Sequence, residues 1–284
     1  MKVNARTKKY VNLGFTHTFI ILFGLFMIYP LAWMVFSSFR FDEDIFKPID
    51  FQDLSFTLQN YIVGWQGFSR YTFATFYKNS FVVTFLVVLG MVVSSTLTAF
   101  AFAKLDFSGK KFFFSIMLLT LMLPKHVKII PQYIIFSKLH WVNTFFPLIV
   151  PSFFGVQGFF IFQMVQYIRT IPNTLFEAAK MDGCSIVKIY SRIVVPLSIP
   201  TIITAVLLCF MWTWNDFFSQ LLYLSDVAKM TISVALRMFI DATGSSSWGA
   251  MFAMSVLSLT PLFAIFLLFQ RYIVDGITSG ALKG

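Results

Sequence analysis

Charge is what this sequence has least of. Only 22 Lys and Arg and 12 Asp and Glu occur among 284 residues, 12% charged against 58% hydrophobic, at a mean hydropathy of +0.78. Soluble domains carry roughly a quarter charged residues, so that class is excluded. Cysteine is nearly missing: Cys184 lies in a polar connection and Cys209 inside an apolar run, which excludes a disulfide framework. A Walker phosphate loop is missing as well, because the pair Gly109-Lys110 lacks both the upstream Gly and the following Ser or Thr. His17, His126 and His140 are scattered and share no helical face with a Cys or carboxylate, which leaves no metal centre, nucleophile or catalytic group. The expectation is a chain that binds no cofactor and draws any energy from another subunit. No internal repeat is visible, and no small-residue cleavage site follows MKVNARTKKY, so the first apolar run reads as an uncleaved anchor.

What is present is long apolar runs. Windows near the roughly 20 residues that cross a bilayer occur at about 15–39, 79–103, 112–135, 146–168, 199–222 and 250–270. The expected fold is therefore all-α and integral to the membrane, one transmembrane domain over 1–284 with six helices. Lys and Arg number 13 in the 66 residues of the N-terminus, 104–111, 169–198 and 271–284, against 9 in the 87 residues of 40–78, 124–145 and 223–248. Both termini are accordingly expected in the cytoplasm. Asp42, Glu43, Asp44, Asp50 and Asp53 fall in the first outer loop, on the opposite side. The pI near 9.6 follows from these clusters beside apolar runs, so the basic balance indicates membrane topology and not nucleic acid. The 38 Phe read as lipid-facing and packing material.

Between the fourth and fifth windows, 169–198 forms the longest cytoplasmic connection. Pro172 suits a first helical turn, Asn173 to Met181 is rich in helix formers, and Gly183 is placed to stop the helix. A second helix follows, with Ile186, Ile189, Tyr190, Ile193 and Val194 spaced as one apolar face, until Pro196 ends or kinks it. Helices of about ten residues are marginal alone in water, so the pair packs on its own spans or on a cytoplasmic partner. Ala178 and Ala179 allow close approach, and Glu177 and Asp182 offer charge.

Glu177-Ala178-Ala179, Asp182-Gly183, then Ile193 and Pro196 resemble the EAA signature of permease subunits of ATP-binding-cassette importers. The resemblance covers nearly the whole chain and is nearest to the maltose-type, carbohydrate-uptake branch. Trp214-Asn215-Asp216, Trp248-Gly249, Gln270-Arg271-Tyr272, Gly276-Ile277-Thr278 and the ending Lys283-Gly284 match that branch, with Val195 where Leu is common. The resemblance implies the type I importer permease fold, with 173–195 as a coupling helix in a cleft of an ATPase subunit and the tail 271–284 touching it as well. It also implies two ATP-binding-cassette subunits that use ATP and Mg, a second homologous permease, and an extracytoplasmic solute-binding protein. The location implied is the bacterial cytoplasmic membrane.

Polar groups at membrane depth mark transport paths. Asn215 and Asp216, flanked by Trp212 and Trp214, read either as sugar contacts or as a packing and gating hydrogen bond. Leu123-Pro124-Lys125-His126-Val127-Lys128 stands where the family pattern resembles Pro-x-Gln-Val. Lys125, His126 and Lys128 either face the path, which would suit an anionic (uronate-containing or sulfated) oligosaccharide, or snorkel to the outer headgroups. An ion-coupled secondary transporter is the rival function; it calls for inverted repeats and leaves the EAA insertion unexplained.

Overall fold

The computed structural model describes residues 5–48, 55–240 and 247–281. Lys2, Asp50, Asp53 and Lys283-Gly284 lie outside the described residues, as do the side chains of the tail after Gln270. Secondary structure among the described residues is helical apart from one isolated bridge, Phe68 with Tyr71. In order the helices are α1 (Ala5–Ser37), α2 (Gln59–Gln66), α3 (Phe73–Lys104), α4 (Lys110–Met122), α5 (Lys125–Lys138), α6 (Phe146–Ile149) and α7 (Gly158–Thr170). They continue with α8 (Asn173–Met181), α9 (Ile186–Ile189), α10 (Val195–Leu197), α11 (Ile199–Trp214), α12 (Phe217–Tyr223), α13 (Ile232–Met238) and α14 (Trp248–Ala281).

Four stretches are long and apolar enough to cross a membrane: Leu13–Ser37, Phe73–Lys104, Phe146–Thr170 and Trp248–Gln270. Two more qualify only as bent pairs, α4 with α5 at 104° and Ile186–Leu197 with α11 at 74°. The window 112–135 therefore does not form a straight helix, and the window 199–222 is interrupted at Asn215-Asp216, between α11 and α12. At 123–124 the cause is Pro124, whose ring and missing N–H disfavour a continuous helix and force Leu123 extended (φ −75°, ψ 121°). At the 74° bend Pro196 and Pro200 flank Ser198, and a π-turn over Tyr190–Val194 absorbs the first of them.

The chain divides into two compact units. One comprises residues 68–235 and 260–284. Its centre is α3, which packs on α7, on α11 and on the turn Val150–Phe154 and carries a buried stripe of small and polar residues, Ser80, Thr84, Gly90, Ser94 and Ser95. Small side chains let helix backbones approach where lipid gives no hydrophobic driving force. Gly90 shows how closely: a Cβ there would lie 2.4 Å from Ser152 Oγ and 2.6 Å from the Phe153 ring. Ser94 Oγ donates to the Ser152 carbonyl at 2.7 Å. Val87, Met91, Phe160, Met164 and Ala205 fill the core of this unit.

The other unit comprises residues 1–67 and 236–259. Trp33 meets Phe252 edge-on at 5.2 Å, and Phe46 meets Trp248 at 5.3 Å. Asn60 is buried and donates to the carbonyls of Ser38 and Arg40. Gly249 packs against that amide so tightly that a Cβ would fall 2.4 Å from Asn60 Nδ2, and its own N–H donates to Asp42 at 2.6 Å. The Trp248-Gly249 pair thus has a packing reason: one ring to fill the unit and no side chain beside it.

Candidate functional site

The insertion at 169–198 divides into a buried and a bare face. Helix α8 covers Asn173–Met181, with Pro172 just before it as the capping residue instead of in its first turn. Gly183 takes φ +71°, the left-handed conformation that stops helices. Ser185 caps α9 by accepting from the Lys188 N–H. Phe176 and Ala179 are buried, so Ala179 packs inward and is not on the open surface, whereas Glu177, Ala178 and Asp182 are exposed. Lys104 holds the start of α8 through the Ile171 carbonyl (2.6 Å) and Asn173 (2.8 Å), and lies over the Phe176 ring. The expected apolar face of the second helix also needs correction. Ile189 and Val194 are buried, Tyr190 and Ile193 half-buried, but Ile186 is exposed. The π-turn ahead of exposed Pro196 rotates the later residues relative to a straight helix. Tyr190 meets Thr96 Oγ1 at 2.6 Å, fixing the segment to α3. Left bare are Leu175, Met181 (89% exposed), Ile186 and Val187, with Glu177 and Asp182 among them.

The second site lies where the break between α4 and α5 meets the interruption between α11 and α12. A cavity of about 590 Å³ is lined by Pro124, Lys125, Lys128, Gln157, Trp212 and Asp216, among others. Its volume falls in the range of small-molecule sites. Trp212 is 52% exposed and rests on Phe159 and Phe160, each 5.2 Å away between ring centres. Asp216 is no longer inside a helix: it caps α12, its Oδ1 accepting from the Ser219 N–H at 3.2 Å. Lys125, opening α5, donates to Asp216 Oδ2 at 3.3 Å. A smaller cavity of about 150 Å³, lined by Gln132, Phe136, Pro151, Ser219 and Tyr223, is also bounded by Lys125 and Asp216. The ion pair stands in the wall that the two cavities share.

Other expected path residues fall elsewhere. Trp214, only 3% exposed, is packed on Phe210, Phe81 and Tyr77, so it is a core residue and not part of the cavity wall. Asn215 is exposed and turns its amide back to the Met211 carbonyl at 2.9 Å. His126 meets Phe218 edge-on at 5.8 Å, on a different face of α5 from Lys125 and Lys128. Sequence reasoning missed Gln157, Thr213 and Gln220. Gln157 follows Gly155-Val156 and precedes Gly158, an interruption in an apolar run that could have drawn notice. Gln220, 2% exposed, donates to the Thr213 carbonyl (3.0 Å) and accepts from Thr231 and Ser233, tying the break after α11 to the segment before α13. Its signal is a lone amide one turn beyond Asp216.

Residues 68–279 match the family model for the binding-protein-dependent transport system inner membrane component. The chain belongs to that family. It is 33% identical over 264 residues to the trehalose/maltose transport system permease protein MalG of Thermococcus litoralis, covering 93% of this chain and 94% of that one. It is 29% identical over 260 residues to the arabinooligosaccharides transport system permease protein AraQ of Halalkalibacterium halodurans, covering 90% and 91%. The fold is that of a bacterial ABC transporter involved in the import of the acidic polysaccharide alginate, at TM-score 0.82 and 21% identity over 96% of this chain. The permease is thus a multi-pass membrane subunit and not an enzyme, and the resemblance carried by Glu177 to Pro196 holds at the level of the family.

Proposed function

We propose that this permease is half of the translocation path of an ATP-driven importer of sugars or oligosaccharides, and that its substrate is anionic. Six spans carry the path, α4 with α5 counting as one and α11 with α12 as another, with both termini in the cytoplasm of a bacterial cell. It works with a second homologous permease, two ATPase subunits that use ATP and Mg, and an extracytoplasmic solute-binding protein. The segment 173–195 docks an ATPase through Leu175, Met181, Ile186 and Val187, with Glu177, Ala178, Asp182 and Gly183 at the contact. Ala179, Ile193 and Pro196 support the same role from behind, since Ala179 and Ile193 seat the segment on its own spans and Pro196 sets its exit. Closure of the ATPases moves this packed element as a rigid body and through it the spans. The tail 271–284 adds to the same contact. The importer reading is supported by the family and by the sugar-transport names of relatives above.

The anionic reading rests on one observation: Lys125 and Lys128 line a cavity whose floor is Trp212. Rings stack on sugar faces, and ammonium groups favour carboxylate or sulfate. Depth argues the same way. Helix α4 has 13 residues, about 20 Å at 1.5 Å per residue, short of the ~30 Å hydrocarbon layer. Lys125, which opens α5 just after the break, then lies at membrane depth, where the helix N-terminus also favours an anion. His126, beside Phe218, flanks this site, Asn215 and Asp216 form the facing break, and Trp214 supports it from the core. Uptake by Lys125→Gln and Lys128→Gln variants tests the reading. Loss of acidic but not neutral oligosaccharide uptake is expected, and equal uptake of both, unchanged from the parent, would refute it.

A further inference from the structure

An ion pair in the wall between two cavities does more than supply a cation. We propose that Lys125 and Asp216 form a gate that the substrate itself opens: at rest the pair closes the passage between the 590 Å³ and 150 Å³ cavities, and an acidic group of the substrate replaces Asp216 on Lys125. This rests on the anionic reading above. The two partners are 91 residues apart in sequence and sit on the two breaks, Lys125 after the 104° bend and Asp216 between α11 and α12. The same two helices also meet through His126 with Phe218 and through Tyr133 and Phe136 with Tyr223, so parting the pair opens the wall at Lys125 and Asp216 while these rings keep α5 on α12 and neither helix unwinds.

Asp216 is built to let go. Its Oδ2 holds Lys125, while Oδ1 caps α12 at Ser219 and its backbone carbonyl accepts from Ser233. Releasing Lys125 therefore leaves the carboxylate with its backbone N–H partner and its place in the fold. Gln220, buried beside it, holds the Thr213 carbonyl and the Thr231 and Ser233 hydroxyls, and so keeps the break rigid during the exchange. Lys128, one turn along α5, lines the larger cavity only, so the acid that displaces Asp216 meets a second cation on the inner side. A neutral sugar offers nothing to exchange for Asp216, which makes the pair a determinant of specificity as well as a gate.

The test places a reporter behind the gate. Thr213 lines the larger cavity and not the smaller, so Thr213→Cys in a Cys184→Ser/Cys209→Ser permease is labelled with a membrane-impermeant thiol reagent added outside the assembled, reconstituted complex. Slow labelling is expected with the pair intact and with Lys125→Arg, and labelling at least about tenfold faster in Lys125→Gln and in Asp216→Asn, within the span of ordinary coupling energies. The charge swap Lys125→Asp/Asp216→Lys should label slowly again. Unchanged rates in the single variants, or a swap as fast as they are, would overturn the gate. In parallel, uptake of short oligogalacturonates is compared with that of the same oligomers after carboxyl reduction, using one binding protein throughout. Asp216→Asn should lower KM for the acidic form only. If Lys125→Gln leaves the acidic-to-reduced ratio unchanged while labelling accelerates, the anionic reading and substrate operation fail together and the pair is a gate of another trigger. If the ratio falls while labelling stays slow, the anionic reading stands and the gate fails.

Discussion

Replacing Gly183 separates two ways in which the segment 169–198 can fail. The residue sits at φ +71°, and a Cβ added there would meet no atom of this chain within 4 Å. Sterics inside the subunit are therefore no obstacle, and the whole cost of Gly183→Ala is the left-handed backbone, roughly 1–2 kcal/mol. If α8 and the following turn must hold their shape to dock an ATPase, that cost subtracts from docking and lowers the docked fraction by a factor of about 5 to 30. Asn adopts this conformation several-fold more readily than other residues, so Gly183→Asn should retain much more docking than Gly183→Ala although it is larger. Co-purification of the ATPase subunit with the tagged permease, at matched expression, gives the ranking Gly, then Asn, then Ala. Should Asn prove as damaging as Ala or worse, the limiting factor is room for the partner at position 183, and the argument from backbone conformation is wrong.

The two neighbouring tryptophans should behave differently. Trp212→Ala raises KM for transport with little change in melting temperature, whereas Trp214→Ala costs about 3–5 kcal/mol of core packing and shows first as lost yield and a lower melting temperature in detergent. Gly90→Ala drives a Cβ into Ser152 and Phe153 and should destabilise the permease by about 1–3 kcal/mol; Phe153→Ala in the same molecule should recover part of that. Gln220→Leu leaves the buried Thr231 hydroxyl without its partner, about 1–3 kcal/mol, while the Thr213 carbonyl keeps the Asp216 N–H and the Ser233 hydroxyl keeps the Asp216 carbonyl. A thermal unfolding series that shows no loss for this variant would mean water replaces the amide.

Much of the segment 169–198 is legible in the sequence because its signals are local. Helix formers from Asn173 to Met181 and a glycine two residues on specify a helix and its stop within a dozen residues, and α8 has those bounds. The direction of its faces is less legible. Ala178 and Ala179 are equal as residues, yet Ala179 is buried and Ala178 exposed, a difference decided by where Phe176 packs. Ile186 fits the apolar spacing on a regular helix and falls outside it once the π-turn intervenes. The same limit applies to the path: Trp212 and Trp214 read alike, and only the packing of α11 on α3 and α7 sends one to the cavity and the other to the core.

By itself the sequence determined the class of molecule. Long uncharged runs, sparse charge gathered between them and no catalytic set suffice for this, because hydropathy and helix punctuation act over tens of residues or fewer. Tertiary structure decided the site. Pro124 announces a break but not its 104° angle, nothing near Asp216 says that Lys125 is its partner, and the wall between two cavities exists only once α4, α5, α11 and α12 are packed. Contacts between residues 91 apart in the chain depend on how whole helices meet, and one sequence carries that information only through the fold it adopts.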